Sequence, residues 1–531
     1  MLRELLLLLA VAGWAQGRTL TQAGGDVSDR PGRGPPQLRG TLVTVTDAEA
    51  GEDDWALIDA NGKILPLKKG VKPRDRGGRP IPSGSVVDLT CPSVDASGQC
   101  TYFQSPTDAT VISPAPGPSP TAKTESVLIM ILDYSACKKG AETTVTAVTQ
   151  QFFNAPAGSV SYADRFEQCS YSSLKLAPPG NTAGSSRIVL LRPRPCPSTI
   201  QQNTCDFWAM ASNADSNAQA AGINPSAYTR KLYLLPSSLM SNTPGVGCYN
   251  WAARATIGSN LQWYFTYSYG SNRWATVMQE YIHNYGCSSI EYEDYSTSMG
   301  RGDSCPNAAE ISALKWARPA VSVSSPTGPV AGVSGFDLNQ VSLPLGKALL
   351  FNMPATYMTG AGNYIRVTPN WLGAAYTLNL YMALRVGKNA DAGMGASKYG
   401  LSYYSQKINI HTVDAAIDND QMLNGGSMTG DRKISFVTAL APSTRSTVLA
   451  TPYKLVVMAG TWTRTNADGS SASDILRLYV CRFAVSEAEC PTLADVEPAS
   501  WPPSPQPPSP PSPPPQPLPP SPSPPENPLA P

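Results

Sequence analysis

The pattern of apolar and polar positions divides this chain into regions of different type. Residues 37–112 contain short strand-like runs, Thr41–Val45 and Val86–Leu89, separated by turn-forming pairs such as Asn61-Gly62. This pattern predicts an N-terminal β domain. The Ser/Pro-rich segment 113–120 is expected to link it to the next region, so that domain and linker together span 37–120.

Residues 125–318 alternate between strand-like and helical segments. Strands are predicted at Val127–Leu132, Arg187–Leu191 and Leu232–Leu235, and helices at Glu142–Phe153 and Cys205–Ala221. The first of these strands is apolar at every position, which is typical of a strand buried on both faces. The β-α-β-α-β order predicts a mixed α/β domain.

Residues 323–491 return to a β pattern. Ile475, Arg477 and Tyr479 alternate with their neighbours, and Lys454–Met458 forms a further strand-like run. The simplest architecture for this region is a C-terminal β-sandwich-like domain.

The two ends of the chain have special compositions. Arg3 and the apolar run Leu5–Ala12 predict a signal peptide over residues 1–17, followed by a leader over 18–36. Residues 498–531 are rich in Ser and Pro. Because proline fixes φ and lacks an amide donor, this tail is expected to be a disordered, extended polyproline II segment.

Composition narrows the classes of function that the chain can have. With 40 basic and 39 acidic side chains and no long basic stretch, the composition argues against nucleic acid as a partner, because phosphate binding needs clustered Lys and Arg. No segment after the signal has about twenty uninterrupted apolar residues, so no integral membrane span is predicted. Eleven cysteines fit an oxidising, extracellular compartment. Three closely spaced pairs are expected to form local disulfides: Cys91 with Cys100, Cys196 with Cys205, and Cys481 with Cys490.

The candidate metal-binding and catalytic residues are concentrated in one predicted helix, Trp274–Tyr285, which ends at Gly286. In H-E-x-x-H zinc peptidases, two ligands four residues apart face the metal, and the intervening Glu takes a proton from the metal-bound water. Here Gln279 stands at the first ligand position, Glu280 at the base position and His283 at the second ligand position. The chain has only two histidines, which excludes a site with three imidazoles.

Flanking segments extend the similarity. Asp294–Gly300 is similar to a Met-turn, and Ser304–Ala309, Leu314–Trp316 and Gly247–Ala252 are similar to segments around the active-site helix. On these residues the sequence resembles the gametolysin family of metzincin-like metallopeptidases from volvocine green algae. The resemblance covers residues 125–318.

The resemblance implies a twisted sheet over an active-site helix and metal-dependent hydrolysis of peptide bonds. Glu280 would be the general base, Gln279 and His283 would bind zinc or another divalent transition metal, and Met299 would pack beneath it. The N-terminal β domain occupies the usual place of a pro-segment.

The sequence leaves the identity of the third metal ligand undecided. Ser289 stands where the family has its third His, and Glu291, Glu293 or Asp294 could supply a carboxylate instead. The acidic cluster could equally be a solvated loop. His411, on a predicted strand, is interpreted as structural.

These observations predict a secreted, gametolysin-like metallopeptidase-domain protein of the cell wall or extracellular matrix. If active, it would cleave Pro-rich or hydroxyproline-rich wall glycoproteins. The alternative is a catalytically inactive homologue that binds wall glycoproteins or serves as a structural protein.

Overall fold

The computed structural model describes residues 37–46, 53–68, 72–91, 100, 109–115, 122–243, 246–249, 251–287, 293–323, 331–396, 398–419, 432–464 and 474–497. The predicted signal peptide, leader and proline-rich tail lie outside the described residues. None of the helices in these ranges has the length and apolar character that crossing a membrane requires.

The N-terminal β region is an antiparallel sheet with strand order β3-β2-β1-β4-β5. Its strands are β1 (Gln37–Thr46), β2 (Asp53–Ile58), β3 (Ile64–Pro66), β4 (Val86–Thr90) and β5 (Ala109–Ser113). One face encloses a small core that includes Trp55 and Leu89. Val43 and Val45 belong to the core of the next region, so the two regions share apolar packing.

The central region is built on a five-stranded sheet with order β13-β14-β10-β7-β9, parallel except for β13. Two short parallel pairs, β6-β8 and β11-β12, lie outside it. The strands of this region are β6 (Lys123–Glu125), β7 (Val127–Leu132), β8 (Leu174–Leu176), β9 (Arg187–Leu191), β10 (Arg230–Leu235), β11 (Met240–Ser241), β12 (Cys248–Tyr249), β13 (Ala253–Ala255) and β14 (Leu261–Phe265).

Helices cover both faces of the central sheet. They are α1 (Val145–Phe152), α2 (Tyr162–Cys169), α3 (Ser198–Gln201), α4 (Phe207–Ala220), α5 (Trp274–Asn284) and α6 (Ala308–Ala313). Helix α4 packs with Leu128 and Met130 on one face of β7, whereas α1, α2 and α5 pack with Ile129 and Ile131 on the other. The predicted β-α-β-α-β order and the double burial of β7 are confirmed.

The C-terminal region contains two sheets, with orders β15-β17-β18-β19-β20 and β16-β23-β22-β21. Their facing sides share a core that includes Phe351, Leu380 and Leu478, and we call this pair of packed sheets the sandwich. The strands are β15 (Arg318–Pro319), β16 (Leu349–Pro354), β17 (Ala361–Val367), β18 (Leu378–Arg385), β19 (Lys407–Asp414), β20 (Ser435–Leu440), β21 (Thr444–Arg445), β22 (Leu455–Arg464) and β23 (Asp474–Arg482).

Short helices complete the described chain. The α-helical turns are α7 (Leu401–Tyr404), α8 (Ala415–Asp418), α9 (Ala450–Tyr453) and α10 (Leu493–Val496). The 3-10 helices are Ser135–Cys137, Pro225–Ala227, Ser237–Leu239, Asn370–Ala375, Asn389–Asp391 and Glu487–Glu489.

Two buried arginines join the sandwich to the central region. Arg385 donates to the carbonyl of Cys305 at 3.0 Å and pairs with Asp391 at 2.7 Å. Arg432 donates to the carbonyl of Ala309 at 2.9 Å and pairs with Asp418. Because each guanidinium satisfies backbone carbonyls of the central region, the outer face of the β15–β20 sheet is fixed against α6.

Five disulfides are present, and one of the three predicted local pairs is wrong. Cys91–Cys100 and Cys481–Cys490 form as expected. Cys196 and Cys205 do not pair with each other, because they lie at opposite ends of the α3 segment and each reaches a different part of the central region. The remaining bridges are Cys137–Cys196, Cys205–Cys248 and Cys169–Cys305. Cys287 is a buried free thiol.

Replacing Arg385 tests how strongly the two regions are coupled. Arg385→Ala leaves the Asp391 carboxylate buried without its cation, and we expect a loss of about 3–5 kcal/mol of unfolding free energy. Arg445→Ala is the matched control, because Arg445 pairs with Glu487 at the surface, where such a pair contributes about 1 kcal/mol or less. Urea denaturation measures both. Equal losses would show that the buried pair does not hold the regions together.

Candidate metal centre

Helix α5 is the element that carries the predicted chemistry. Its residues from Ala275 to Asn284 are all buried, so it is enclosed on every side rather than amphipathic. It ends at Gly286, whose φ of 95° is in the left-handed region that favours glycine. The amides of Gly286 and Cys287 donate to the carbonyls of His283 and Ile282, at 2.9 and 3.3 Å. This Schellman-type ending turns the chain sharply just after the predicted ligands, as the sequence indicated.

Gln279, Glu280 and His283 lie together on this helix. Residues four apart share a helix face, so the Gln279 amide and the His283 imidazole are neighbours, with Glu280 beside them. Their exposed fractions are 9%, 4% and 8%. Among the described residues, no hydrogen-bond partner is found for the Gln279 amide or the Glu280 carboxylate.

The orientation of His283 is fixed by a backbone carbonyl. Its Nδ1 lies 2.6 Å from the carbonyl oxygen of Cys287, which can only accept, so Nδ1 carries the proton. The lone pair is therefore on Nε2, for which the described residues supply no partner. Burial lowers the pKa of His283 and favours the neutral ring. A neutral imidazole anchored through its other nitrogen is the usual state of a metal ligand.

Glu280 is a buried carboxyl with an unpaired oxygen. Its Oε2 is inaccessible to solvent and has no hydrogen-bond partner in the described part of the chain. Burial raises the pKa of Glu280 to about 8, and the positive charge of Arg254 partly opposes this shift. A buried carboxyl with a raised pKa is mostly neutral near pH 7, and a nearby cation would favour its ionised form. The three side chains therefore fit a metal centre.

A polar network that was not predicted from the sequence holds the end of α5. Gln262 on β14 donates to Asn284 Oδ1 at 2.6 Å, and Tyr264 OH donates to Gln262 Oε1 at 2.6 Å. Asn284 Nδ2 in turn donates to the carbonyl of Thr256 at 2.7 Å. The available signal was Gln262, a polar residue in the otherwise apolar run Leu261–Phe265.

Two of the candidate third ligands are engaged elsewhere. Asp294 is buried and its carboxylate lies 2.9 Å from His411 Nε2, while the amide of Ser296 donates to it at 2.8 Å. Glu293 is exposed and pairs with Lys398 at 3.0 Å. These contacts disfavour both as ligands. Ser289 and Glu291 lie outside the described residues.

Met299 and the second histidine have structural positions. Met299 is fully buried in the same core as Tyr281 and Ile282 of α5. His411 lies on β19 and ties the segment Asp294–Gly300 to the sandwich through Asp294. Among the described residues, no group of three or more His, Cys, Asp or Glu side chains comes together as a cation site.

Comparison with known proteins identifies the family. The model of the gametolysin peptidase M11 family matches residues 126–450, more than half of the chain. The chain belongs to the gametolysin family. The match begins just before β7 and continues beyond residue 318 into the sandwich, which agrees with the packing shared by the two regions. Gametolysin-family metallopeptidases generally use zinc and are extracellular. No curated protein and no solved structure matches the chain.

The buried Asp294–His411 contact gives a test of pH dependence. Burial alone would raise the pKa of Asp294, but His411 and the hydrogen bonds from Ser296 outweigh it and lower the pKa. The contact therefore stabilises the fold above the unfolded pKa of about 4, and this contribution is lost as the pH falls through the lower native value. Asp294→Asn should lower the unfolding free energy by about 2–3 kcal/mol at pH 7 and by less at pH 3.

Urea unfolding at the two pH values measures this difference. Glu293→Gln, one residue away and exposed, is the matched control and should leave the stability unchanged at both. A loss in Asp294→Asn that is the same at pH 3 and pH 7 would contradict the assignment of this carboxylate as ionised in the native state.

Proposed function

We propose that this chain is a secreted, metal-dependent peptidase of the gametolysin family that acts on proline-rich glycoproteins of a cell wall or extracellular matrix. Gln279 Oε1 and His283 Nε2 would hold the metal, and Glu280 would be the general base. A third ligand would come from Ser289 or Glu291.

The observation that carries this proposal is the set of unpartnered polar groups on one face of α5. Buried polar side chains in proteins are normally hydrogen-bonded, as Asn284 on the same helix is. The Glu280 Oε2 atom is both inaccessible and unpaired among the described residues. A cation bound beside this carboxyl would satisfy it, and the hydroxyl of Tyr281 on the same helix is also buried without a partner in the described part of the chain.

The chain's own residues fit the chemistry of hydrolysis. A bound zinc ion supplies Lewis acidity that activates water and polarises a carbonyl. His283 presents a neutral Nε2 because Cys287 holds the proton on Nδ1. Burial raises the pKa of Glu280 and favours its protonated form, whereas the positive charge of a bound cation would favour the ionised form that accepts a proton as a general base.

The substrate class is supported by the sequence. The signal peptide and five disulfides are consistent with export. The Ser/Pro tail has the composition of wall glycoproteins, among which the protein would work.

A second candidate is a non-catalytic wall-binding protein. Gln279 and Ser289 replace two of the family's three histidines, and the amide and alcohol are weaker zinc ligands than imidazole.

Metal content separates the two candidates. Protein purified without chelators should contain close to one equivalent of a divalent transition metal, measured by mass spectrometry of the elements. His283→Ala should reduce this at least tenfold, whereas His411→Asn, which changes the other histidine, should retain the metal if circular dichroism shows that it is folded. Less than about a tenth of an equivalent in the unchanged protein would rule out the peptidase proposal.

Replacing the base tests the mechanism. Glu280→Gln keeps the size of the side chain but cannot accept the proton, so proteolysis of a wall glycoprotein should fall by about 10²–10⁴-fold with the metal still bound. Glu487→Gln, an exposed carboxylate on the sandwich, is the control and should leave the rate unchanged. Retained proteolysis in Glu280→Gln would show that another group is the base.

The same variant tests the binding alternative. If the protein acts by binding, retention on immobilised wall glycoprotein should be equal for the unchanged chain and for Glu280→Gln, with no cleavage by either. Loss of retention in Glu280→Gln, or cleavage by the unchanged chain, would contradict a purely non-catalytic role.

A further inference from the structure

The N-terminal β region packs on the face of the central sheet that lies opposite helix α5. Side chains of β1 alternate between two cores, because successive residues of a strand point to opposite faces. Leu42 belongs to the region's own core, whereas Val43 and Val45 belong to a second core. That second core also contains Met130 of β7 and Trp208 of α4. Since α5 lies in the core on the other side of the sheet, the apolar contacts of the region are made behind the metal centre.

A polar contact at the loop between β13 and β14 adds to this packing. The Ile257 amide donates to the Thr44 carbonyl at 2.8 Å. The buried hydroxyl of Ser83 accepts from the Thr44 amide at 3.0 Å and donates to the Ile257 carbonyl. On its other side the same loop reaches α5, because the Gly258 amide donates to the His283 carbonyl at 3.1 Å. The loop is therefore held between the N-terminal β region and the last turn of α5.

Two glycines allow the backbones of the two regions to touch. Gly84 and Gly258 have φ values of 91° and 66°, in the left-handed region that favours glycine. A Cβ on Gly84 would lie 2.8 Å from the carbonyl oxygen of Gly258. A Cβ on Gly258 would lie 2.9 Å from the carbonyl oxygen of Ser83. Contact at these distances leaves no room for a side chain and fixes the two backbones relative to each other.

The contacts of the N-terminal β region avoid the side chains of the metal centre. Its described hydrogen bonds to the central region reach the backbone of Ile257, and none reaches the side chain of Gln279, Glu280 or His283. An inhibitory pro-segment, in contrast, has to cover the groups that bind the metal or the substrate. Separating the region would expose apolar side chains on both partners to water, which opposes its release.

We propose that the N-terminal β region is a permanent structural partner of the central region and not a removable inhibitory pro-segment. It stays bound when the connecting segment 116–121 is cut, through the shared core and the contact of Thr44 and Ser83 with Ile257. Its presence does not block the metal centre. The proposal does not depend on whether a metal is bound or peptides are cleaved.

Cutting the folded full chain tests this proposal. A recognition sequence for a site-specific protease is placed between residues 116 and 121. After complete cleavage, the two fragments should elute together in size-exclusion chromatography, at the position of the uncut chain, and should separate only in denaturant. Separation in native buffer, with the larger fragment still folded by circular dichroism, would overturn the proposal. The onset of proteolysis on separation would further assign the region an inhibitory role.

A pair of glycine variants tests the interface itself. Gly84→Ala places a Cβ against the Gly258 carbonyl and should raise the dissociation constant of the cut complex by about tenfold. Gly78→Ala is the matched control, because Gly78 has a similar φ of 76° but an added Cβ there meets no described atom within 4 Å. Fluorescence anisotropy of the labelled smaller fragment, followed on dilution, measures both constants. Equal constants for the two variants would show that the contact at Gly258 does not hold the regions together.

A serine pair provides a second test if Gly84→Ala does not fold. Ser83→Ala removes the hydroxyl that joins Thr44 to Ile257 and should weaken the cut complex. Ser85→Ala is its control, because Ser85 is equally buried and its hydroxyl has no partner among the described residues. The dissociation constant should rise for Ser83→Ala alone. A rise of the same size in both variants would contradict the assignment of this contact.

Discussion

The complete burial of helix α5 is the constraint on which the rest of the structure depends. A helix enclosed on all sides must find a partner for every polar side chain it carries, because water does not reach them. Asn284 finds its partners in Gln262 and Thr256. His283 finds one for Nδ1 in the Cys287 carbonyl. Glu280 Oε2 and the Tyr281 hydroxyl find none among the described residues.

The regions around α5 are arranged to keep it enclosed. Met299 shares a core with the helix, and the segment Asp294–Gly300 is tied to the sandwich through Asp294 and His411. Arg385 and Arg432 fix the sandwich to Cys305, just before α6, and to Ala309 within α6. The N-terminal β region also contributes, because the Ile257 amide donates to Thr44 and the next amide, that of Gly258, donates to the His283 carbonyl. The candidate centre is thus connected to all three regions by direct hydrogen bonds or shared core.

Local patterns predicted the elements well, but contacts between distant segments less well. The strands at Val127–Leu132 and Arg187–Leu191 and the helix ending at Gly286 were predictable because burial periodicity and a left-handed glycine are encoded within a few residues. The Cys196–Cys205 pair was predicted from spacing alone and is wrong, because disulfide pairing depends on which distant segments of the chain pack beside each cysteine. The contact of Asp294 with His411 could likewise not be predicted from local sequence, because the two residues are 117 positions apart.

By itself, the sequence determined the alternation of strands and helices, the spacing of Gln279, Glu280 and His283 on one helix face, and the limit of two histidines. These are properties of neighbouring residues, which backbone geometry fixes locally. Tertiary structure alone established that Glu280 is buried, with Oε2 unpaired among the described residues, and that Asp294 contacts His411. Burial and pairing depend on every segment that packs around a side chain, and no window of sequence contains them all.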